Sequence, residues 1–375
     1  MKGKIGIDIS QVVHEGTGVA TYTRELVKAL LRFDPDHEYV LFGISLRKKS
    51  VLDHFAAELS KDAPRTRFRT CFYPLPPSLA EPLFDQFPRP KIELFTGKLN
   101  AFHTSDWIEP PSNCSKVAVV HDLAMFKFPE FAQERILKVH RRKLKLARKE
   151  ANKVIAVSNS TKNDLVEMLG FDPAKITVIY EAAGDQFKPA HKRSLLQKYG
   201  IGGKYVLTLG TREPRKNLRR TIEAFSKLGL KNTRLVVVGK FGWGEDIRPS
   251  ENVIVTGFIP GNDLPTIYTF SEAFVYPALY EGFGLPVLEA MSCGAPVVTS
   301  NTSSLPEVAG KAAVMVDPTN IGQIAAGIRT ALENRDILQK KGIEQAKKFS
   351  WERTAHKTVE VYEKIMSSAQ INRDY

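Results

Sequence analysis

The 375-residue sequence is poor in the features of exported, disulfide-bonded or membrane-spanning proteins. Its three cysteines, Cys71, Cys114 and Cys293, are odd in number and lack C-x-x-C spacing, so neither a disulfide framework nor a zinc knuckle is expected. No apolar run approaches the roughly 20 residues that cross a bilayer, and the first residues lack the apolar core of a signal peptide. We therefore expect a cytoplasmic protein that does not span a membrane.

Metal-binding patterns are also absent from the sequence. The single D-x-D motif, Asp34-Pro35-Asp36, falls between a predicted helix and a predicted strand. A metal-dependent transferase would place such carboxylates at a sheet edge, and the histidines form no ligand spacing. The sequence therefore predicts no metal site and no cofactor.

Charge of one sign is in excess, with 54 Lys and Arg against 41 Asp and Glu and a net charge of +13. Such a balance favours anionic partners, among them nucleic acid, acidic lipid and phosphorylated small molecules. No basic motif interleaved with aromatic residues supports nucleic acid, which we do not expect as a partner. A predicted helix over residues 135–153 holds nine Lys or Arg and one acid, Glu150. It is either a packed helix with a solvated basic face or a peripheral contact with anionic membrane at the inner face.

Short β-branched runs alternate with helical patterns, which predicts parallel sheets built from βαβ units. Residues 60–115 are rich in proline and are expected to be loops with short helices. We expect two doubly wound, Rossmann-like α/β domains that face a cleft, over residues 1–190 and 191–350, and a terminal helix over 351–375. The predicted strands are residues 4–9, 39–42, 117–120, 154–157, 176–180, 205–209, 234–238, 253–256, 273–276, 296–300 and 313–316.

The unusual residues follow these strands, at the edge where open parallel sheets bind ligands. Residues 280–290 read Tyr-Glu-Gly-Phe-Gly-Leu-Pro-Val-Leu-Glu-Ala. Two glycines precede a predicted helix whose first N–H groups can face an anion or a sugar hydroxyl. Glu289 lies on that helix, where a carboxylate can accept both hydrogen bonds of a vicinal diol such as a ribose.

Residues 210–217, Gly-Thr-Arg-Glu-Pro-Arg-Lys-Asn, place several cations at a strand-to-helix junction. A charge pair at about 4 Å is worth roughly 4 kcal/mol at an effective dielectric near 20, so two cations could stabilise a departing diphosphate without a metal. The helix macrodipole disfavours cations at this end, so an anion is expected to compensate them.

In these motifs the sequence resembles the retaining GT-B glycosyltransferases of family 4, or group 1, and the likeness extends along nearly the whole chain. Glu281 and Glu289 form its Glu-x7-Glu motif, and Arg215-Lys216-Asn217 its basic motif. Residues 16–18 resemble the glycine-rich loop, 120–123 the His-Asp motif, and 349–351 the start of a terminal helix that crosses back to the first domain. Residues 180–185, Tyr-Glu-Ala-Ala-Gly-Asp, depart from the commoner Asn-Gly-Val-Asp hinge.

The resemblance implies transfer of a hexose from a nucleotide diphosphate sugar to a glycan, lipid-linked or small-molecule acceptor, without a metal (an EC 2.4.1-type hexosyltransferase). The basic motif and the His-Asp motif resemble those of mannosyl-type enzymes of bacterial surface polysaccharides, with GDP-mannose as the first candidate donor; the base and the hexose stay open. The implied residues are His121 and Glu281 for catalysis, Arg212, Arg215, Lys216 and Gly18 for the diphosphate, Gly282, Phe283, Gly284 and Leu285 for sugar and phosphate, Glu289 for ribose, and Gly257 and Phe258 for the base.

Two other functions agree with the same residues. An enzyme of this architecture could epimerise or hydrolyse a nucleotide sugar, which requires a base and a captured water. A non-enzymatic polyanion binder would follow from the charge of +13 alone and would bind with steep salt dependence.

Overall fold

The computed structural model describes residues 3–62, 68–76, 79, 82–84, 89–210, 213–239 and 249–371. The chain divides into two compact units. The first comprises Met1–Glu181 and Trp351–Tyr375, and the second comprises Ala182–Ser350. The change of unit after Glu181 falls inside the segment 180–185 that departs from the family pattern.

The first unit contains a seven-stranded parallel sheet in the order β3-β2-β1-β4-β5-β6-β7. Most of its strand residues are apolar and buried on both faces, as expected of a parallel sheet covered by helices. Its strands are β1 (Lys4–Asp8), β2 (Glu38–Ile44), β3 (Phe68–Tyr73), β4 (Ala101–Thr104), β5 (Ser115–Val120), β6 (Lys153–Ala156) and β7 (Ile176–Val178).

Amphipathic helices cover this sheet. In the first helix the Thr17 side chain caps the backbone N–H of Ala20, and Tyr22, Leu26 and Leu30 are buried against the sheet. The helices are α1 (Gly18–Phe33), α2 (Lys49–Asp62), α3 (Glu93–Thr96), α4 (Ala124–Lys127), α5 (Glu134–Glu150) and α6 (Asn159–Leu169).

Two expectations for the first unit are wrong in part. Residues 60–115 are not only loops and short helices, because they contain β3 and also β4, which pairs with β1 in the centre of the sheet. The basic helix expected over 135–153 ends at Glu150, since Ala151 is extended and Lys153 begins β6.

The second unit repeats the topology with a six-stranded parallel sheet in the order β10-β9-β8-β11-β12-β13. The six strands expected in this half are confirmed. They are β8 (Lys204–Leu209), β9 (Thr233–Val238), β10 (Val253–Gly257), β11 (Ala273–Tyr276), β12 (Val297–Ser300) and β13 (Ala313–Val316). The helices are α7 (Leu218–Lys227), α8 (Leu264–Thr269), α9 (Leu285–Ser292), α10 (Leu305–Ala309), α11 (Ile321–Glu333) and α12 (Arg335–Ala346).

The chain then returns to the first unit through the terminal helix α13 (Trp351–Ile371). Tyr362 is fully buried, and its hydroxyl lies 2.7 Å from Nδ1 of His103 on β4. Thr354 donates a hydrogen bond to the carbonyl of Tyr180 at 2.7 Å. The expected packing of the C-terminal helix on the N-terminal domain is confirmed.

Candidate active site

Parallel pairing places the carboxyl ends of β8 to β13 at one edge of the second sheet, where ligands bind in folds of this kind. The loop after β8 leads to Arg215 and Lys216, and the loop after β11 leads to Glu281. Since β8 and β11 are neighbours, these two loops lie side by side.

A buried ion cluster joins the two loops. Lys216 Nζ lies 2.6 Å from Glu281 Oε1, and Arg215 Nη1 lies 3.1 Å from the same oxygen. The hydroxyl of Tyr276 accepts from Lys216 at 2.6 Å and donates to Glu281 Oε1 at 2.8 Å. Arg215 also pairs with Glu213 at 3.0 Å. Two cations and one carboxylate predicted from separate motifs are therefore brought together.

Local backbone geometry holds the basic loop in place. Asn217 ends the turn with a left-handed φ of 59°, and its buried side-chain amide donates to the carbonyls of Pro277 and Pro318 at 2.9 and 2.5 Å. The backbone N–H of Leu279 donates to the carbonyl of Arg215 at 2.8 Å. The loop after β8 is thus fastened to the loop after β11 by backbone contacts as well as by charge.

The ionisation of the cluster follows from burial and from charge. Burial alone would raise the pKa of Glu281, but the charges of Lys216 and Arg215 outweigh it and lower that pKa below its usual value. Burial and the charge of Arg215 lower the pKa of Lys216, and Glu281 opposes this shift. The two cations are matched by two carboxylates, Glu281 and Glu213, so an incoming anion would share Arg215 and Lys216 with these carboxylates.

The backbone from Gly282 to Leu285 turns directly into α9. Gly284 has a φ of 110°, and a Cβ atom there would lie 2.7 Å from Cδ2 of Leu305. The Ser304 hydroxyl lies 2.9 Å from the carbonyl of Glu281 and 2.7 Å from that of Phe283. This turn brings the predicted sugar-contacting backbone next to the Glu281 carboxylate.

Glu289 lies on α9, one helical turn from its start. Its carboxylate accepts a hydrogen bond from the Tyr268 hydroxyl at 3.1 Å. Burial raises the pKa of Glu289 to about 8, and the hydrogen bond from Tyr268 reduces the shift. The carboxyl is therefore poised to ionise when a ligand supplies hydrogen-bond donors.

Gly257 ends β10 and Phe258 follows it, at the same edge but two strands away from β8. Strands in a sheet are about 4.8 Å apart, so β10 and β11 are separated by about 14 Å. Phe258 is 51% exposed, which leaves ring surface for stacking. A ligand that contacts both Phe258 and Glu281 must be extended.

Arg212 and Gly18 are the two other residues predicted to bind the diphosphate. Arg212 lies outside the described residues. Gly18 is the exposed first residue of α1 in the first unit, and a Cβ atom there would meet no protein atom within 4 Å.

His121 follows β5 at the carboxyl edge of the first sheet. Its Nδ1 lies 3.2 Å from Glu181 Oε1, and its ring packs edge-on against Tyr22 with centroids 4.6 Å apart. Burial would lower the pKa of His121, but the hydrogen bond to Glu181 and the charges of Asp106 and Asp122 raise it.

Sequence motifs did not reveal several partners of the predicted residues. Tyr276, Ser304 and Tyr268 are ordinary strand, turn and helix residues by composition. Glu181 was noticed only as part of the unusual hinge. Their contacts join positions far apart in the chain, so they can be recognised only when the order of the strands in the sheet is known.

Within the described ranges, no group of three or more His, Cys, Asp or Glu side chains is placed to hold a metal ion. None of the helices in that part of the chain is both long enough and apolar enough to cross a bilayer.

The fold and the cluster define an α/β enzyme with two Rossmann-like units, and comparison with known proteins identifies its class. Residues 16–183 match the family described as Glycosyltransferase Family 4, and residues 192–349 match Glycosyl transferases group 1. Sucrose-phosphate synthase from Thermosynechococcus elongatus superposes over 98% of this chain and 100% of its own, with a TM-score of 0.72 and 19% identity. The architecture is therefore GT-B.

The chain is also similar in sequence to bacterial glycosyltransferases. It is 33% identical to the Escherichia coli O-antigen chain mannosyltransferase B over 70% of this chain and 73% of that protein. It is 33% identical to the Escherichia coli serotype-specific mannosyltransferase WbdA over 59% of this chain and 30% of that longer protein. The chain belongs to glycosyltransferase family 4 and is a glycosyltransferase. Among the three functions that its sequence allowed, this favours the transferase.

Proposed function

We propose that this protein is a retaining, metal-independent hexosyltransferase that transfers mannose from GDP-mannose to a glycan or lipid-linked acceptor in the assembly of a bacterial surface polysaccharide. The observation that carries the proposal is the cluster of Arg215 and Lys216 on the buried carboxylate of Glu281 at the carboxyl edge of the second sheet. The names of the relatives support mannose as the sugar and a polysaccharide as the product.

In this proposal the second unit binds the donor along its sheet edge. Arg215 and Lys216 would hold the diphosphate, and Glu281 with the backbone of residues 282–285 would hold the sugar. Glu289 would accept from the ribose hydroxyls, and Phe258 would lie on the base. The spacing of about 14 Å between β10 and β11 suits an extended nucleotide sugar.

The transfer step needs no protein nucleophile. The bond between the anomeric carbon and the phosphate oxygen breaks, and its electron pair leaves with the diphosphate, whose charge Arg215 and Lys216 stabilise. The acceptor hydroxyl oxygen bonds to the anomeric carbon on the same face, and its proton passes to the leaving phosphate oxygen. A covalent glycosyl-enzyme trapped during turnover would contradict this step.

A thermal-shift panel of nucleoside diphosphates and their sugars, with and without chelator, tests the donor. We expect stabilisation by GDP and GDP-mannose that chelator does not change. Stabilisation by another nucleotide alone would mean that the donor carries the base of that nucleotide and not guanine. Dependence on chelator would refute the metal-independent part, and no stabilisation by any nucleotide would refute the donor site.

The configuration of the product tests the proposal that transfer retains the anomeric configuration. GDP-mannose, whose sugar is α-linked, would be incubated with a mannose-terminated acceptor, and the new linkage would be assigned by NMR. An α linkage supports retention. A β linkage refutes it, and release of free mannose alone favours the hydrolase alternative.

The exposed face of α5 supports a peripheral contact with anionic membrane, where a lipid-linked acceptor would be found. Lys143 is buried, whereas the remaining cations of the helix point outward and each adds about 1 kcal/mol near an anionic surface. The exposed cations are Arg135, Lys138, Arg141, Arg142, Lys145, Arg148 and Lys149.

Sedimentation with vesicles tests this contact. We expect retention on vesicles that contain anionic lipid at low salt, and loss of retention when Arg141, Lys145 and Arg148 are replaced by Gln. Replacement of three exposed lysines elsewhere in the chain is the control: Lys340 and Lys341 on α12, and Lys348 just after it. Equal sedimentation of the two variants, or no retention of the natural chain, would refute membrane docking.

A further inference from the structure

Both ring nitrogens of His121 are enclosed within the first unit. Nδ1 lies 3.2 Å from Glu181 Oε1, and the two residues are only 8% and 4% exposed. Because a carboxylate can only accept, Nδ1 must be the atom that donates the proton. Nε2 is also buried and meets no hydrogen-bond partner among the described residues.

The imidazole of His121 lines a hollow beneath α1 that is too small for a sugar. Its volume is about 10 Å³, which is the space of about one water molecule. Asp8 and Tyr22 also line it, and Asp8 Oδ2 and the Tyr22 hydroxyl are further buried polar atoms without a partner in the described part of the chain. In this structure Nδ1 is therefore engaged by Glu181, and the hollow beside the imidazole has no room for a sugar.

The surroundings of this imidazole are mostly acidic. Asp106, Asp122 and Glu181 raise the pKa of His121 against the effect of burial. The pKa of His103 is lowered to about 3 by burial and by the charges of His121 and Lys143, so His103 is neutral near pH 7. The titratable groups around His121 are Asp8, Tyr22, His103, Asp106, Asp122, Lys143 and Glu181.

We infer that Glu181 is a positioning residue that accepts from the Nδ1–H of His121 and fixes the imidazole, so that His121 acts in glycosyl transfer through its charge and not as a base. The functional half of this inference rests on the proposed function, and the structural half does not. The carboxylate comes from the segment 180–185, where the sequence departs from the family hinge.

Nitrogen NMR of the histidine-labelled full chain tests the pair, with the His121 signal assigned from the His121→Gln variant. In the natural chain we expect a protonated Nδ1 and a cationic ring at pH 7. In Glu181→Gln the pKa of His121 should fall by about 1–3 units, since a neighbouring carboxylate shifts a pKa by that amount. Glu181→Asp keeps the charge and should restore part of the shift.

Kinetics test the functional half. The fall in the pKa of His121 lowers its cationic fraction at pH 7.5, so kcat of Glu181→Gln should fall several-fold. The KM for the donor should change little, because the proposed donor groups lie in the second unit. Glu181→Asp should recover part of kcat.

Asp34→Asn is the matched control, because Asp34 forms a second buried pair of this kind among the described residues, with Nδ1 of His37 at 2.8 Å. It should shift the signal of His37 and leave that of His121 unchanged. An unchanged His121 titration in Glu181→Gln, or a neutral ring with unprotonated Nδ1 in the natural chain, would overturn the inference. The protonation of His121 in the natural chain can be measured whether or not Glu181→Gln folds.

If the pKa of His121 falls in Glu181→Gln but kcat does not change, the role of His121 in transfer is refuted, whereas its pairing with Glu181 is supported. Absence of transfer with every donor would count against the proposed function, and the NMR result would still decide the pair.

Discussion

Two carboxylates explain how two cations can lie side by side in the second unit. Arg215 and Lys216 are 18% and 12% exposed at the side chain, and both contact Glu281 Oε1. Charges taken out of water are costly unless they are paired, and Glu281 together with Glu213, which pairs with Arg215, supplies the pairing. The same contact holds both cations in one orientation before a ligand arrives, which reduces the reorganisation needed on binding.

Loss of one member of this cluster should therefore cost activity. We expect Lys216→Ala and Glu281→Ala to lower kcat by roughly 10²–10³, comparable to the loss of one charge-stabilising donor. Initial rates with the donor found in the thermal-shift panel provide the measurement.

The control is Arg219→Ala, since Arg219 is a cation of the next helix that is 72% exposed. It should keep near-normal activity. A near-normal rate in Lys216→Ala or Glu281→Ala would remove the role assigned to that residue, provided that its melting temperature confirms a folded protein.

Glu289 should make nucleotide binding depend on pH. Its pKa is about 8, so the carboxylate that accepts from a diol becomes more populated as the pH rises from 6.5 to 8.5. We expect the Kd of the nucleoside diphosphate to fall by about 25-fold over this range, in proportion to the ionised fraction. Calorimetry at several pH values measures the effect.

Glu289→Gln should bind more weakly and lose this pH dependence. A 2′,3′-dideoxyribose analogue should lose it in the natural chain as well. If the variant retained the full pH dependence, Glu289 would not be the group that titrates against the ligand.

At the scale of elements, the start of α9 depends on a backbone conformation that few residues adopt. Gly284 has a φ of 110°, and an added Cβ would collide with Leu305 at 2.7 Å. Gly284→Ala should lower the free energy of unfolding of the second unit by about 3 kcal/mol, from backbone strain and overpacking together. Urea denaturation provides the measurement.

Gly229 separates the two causes, because it has a φ of 58° and an added Cβ would meet nothing within 4 Å. Gly229→Ala should cost only about 1 kcal/mol, the penalty of the left-handed conformation. Equal losses in the two variants would show that contact with Leu305 contributes nothing.

The regular elements of the second unit were predictable because each strand is a short apolar run bounded by Gly, Pro or polar residues. β4 was missed because Ala-Phe-His-Thr is too short and too polar for such a pattern. Its His103 is buried and lies against Tyr362, 259 residues later in the chain. Helix α12 was missed for lack of an apolar stripe, since Leu338 is one of its few buried residues.

The candidate active site also combines residues that local patterns predict with contacts that they do not predict. Arg215, Lys216 and Glu281 were predicted because each lies in a local motif. Their common hydrogen bonds join positions 65 or 66 residues apart, and Glu181 lies 60 residues from His121. Such pairings depend on the order of strands in each sheet, which a local pattern does not encode.

At the scale of the whole molecule, the first unit is assembled from both ends of the chain. Helix α13 buries Trp351, Tyr362 and Ile365 against elements formed before residue 181. Ser115 on β5 donates to the carbonyl of Ile365 at 3.1 Å, beside the contact between His103 and Tyr362. The terminal helix is therefore part of the core of this unit.

This packing should make the first unit sensitive to acid through His103. Burial and the charges of His121 and Lys143 lower the pKa of His103 to about 3, against about 6.5 in an unfolded chain. Between these values the unfolded state binds one more proton than the folded state. His103 therefore stabilises the fold above pH 6.5 and loses that contribution as the pH falls, by about 1.4 kcal/mol per unit.

Other titrating groups also make the free energy of unfolding depend on pH. The prediction therefore concerns the difference between the natural chain and His103→Gln. His37 and His121 have raised pKa values and act in the opposite sense, losing their contribution as the pH rises through those values. In urea denaturation at pH 4.5, 5.5 and 6.5, the natural chain should lose stability relative to His103→Gln by about 1.4 kcal/mol for each unit of acidification. Parallel curves would mean that His103 is protonated in the folded protein, and that Tyr362 does not hold a neutral imidazole between α13 and β4.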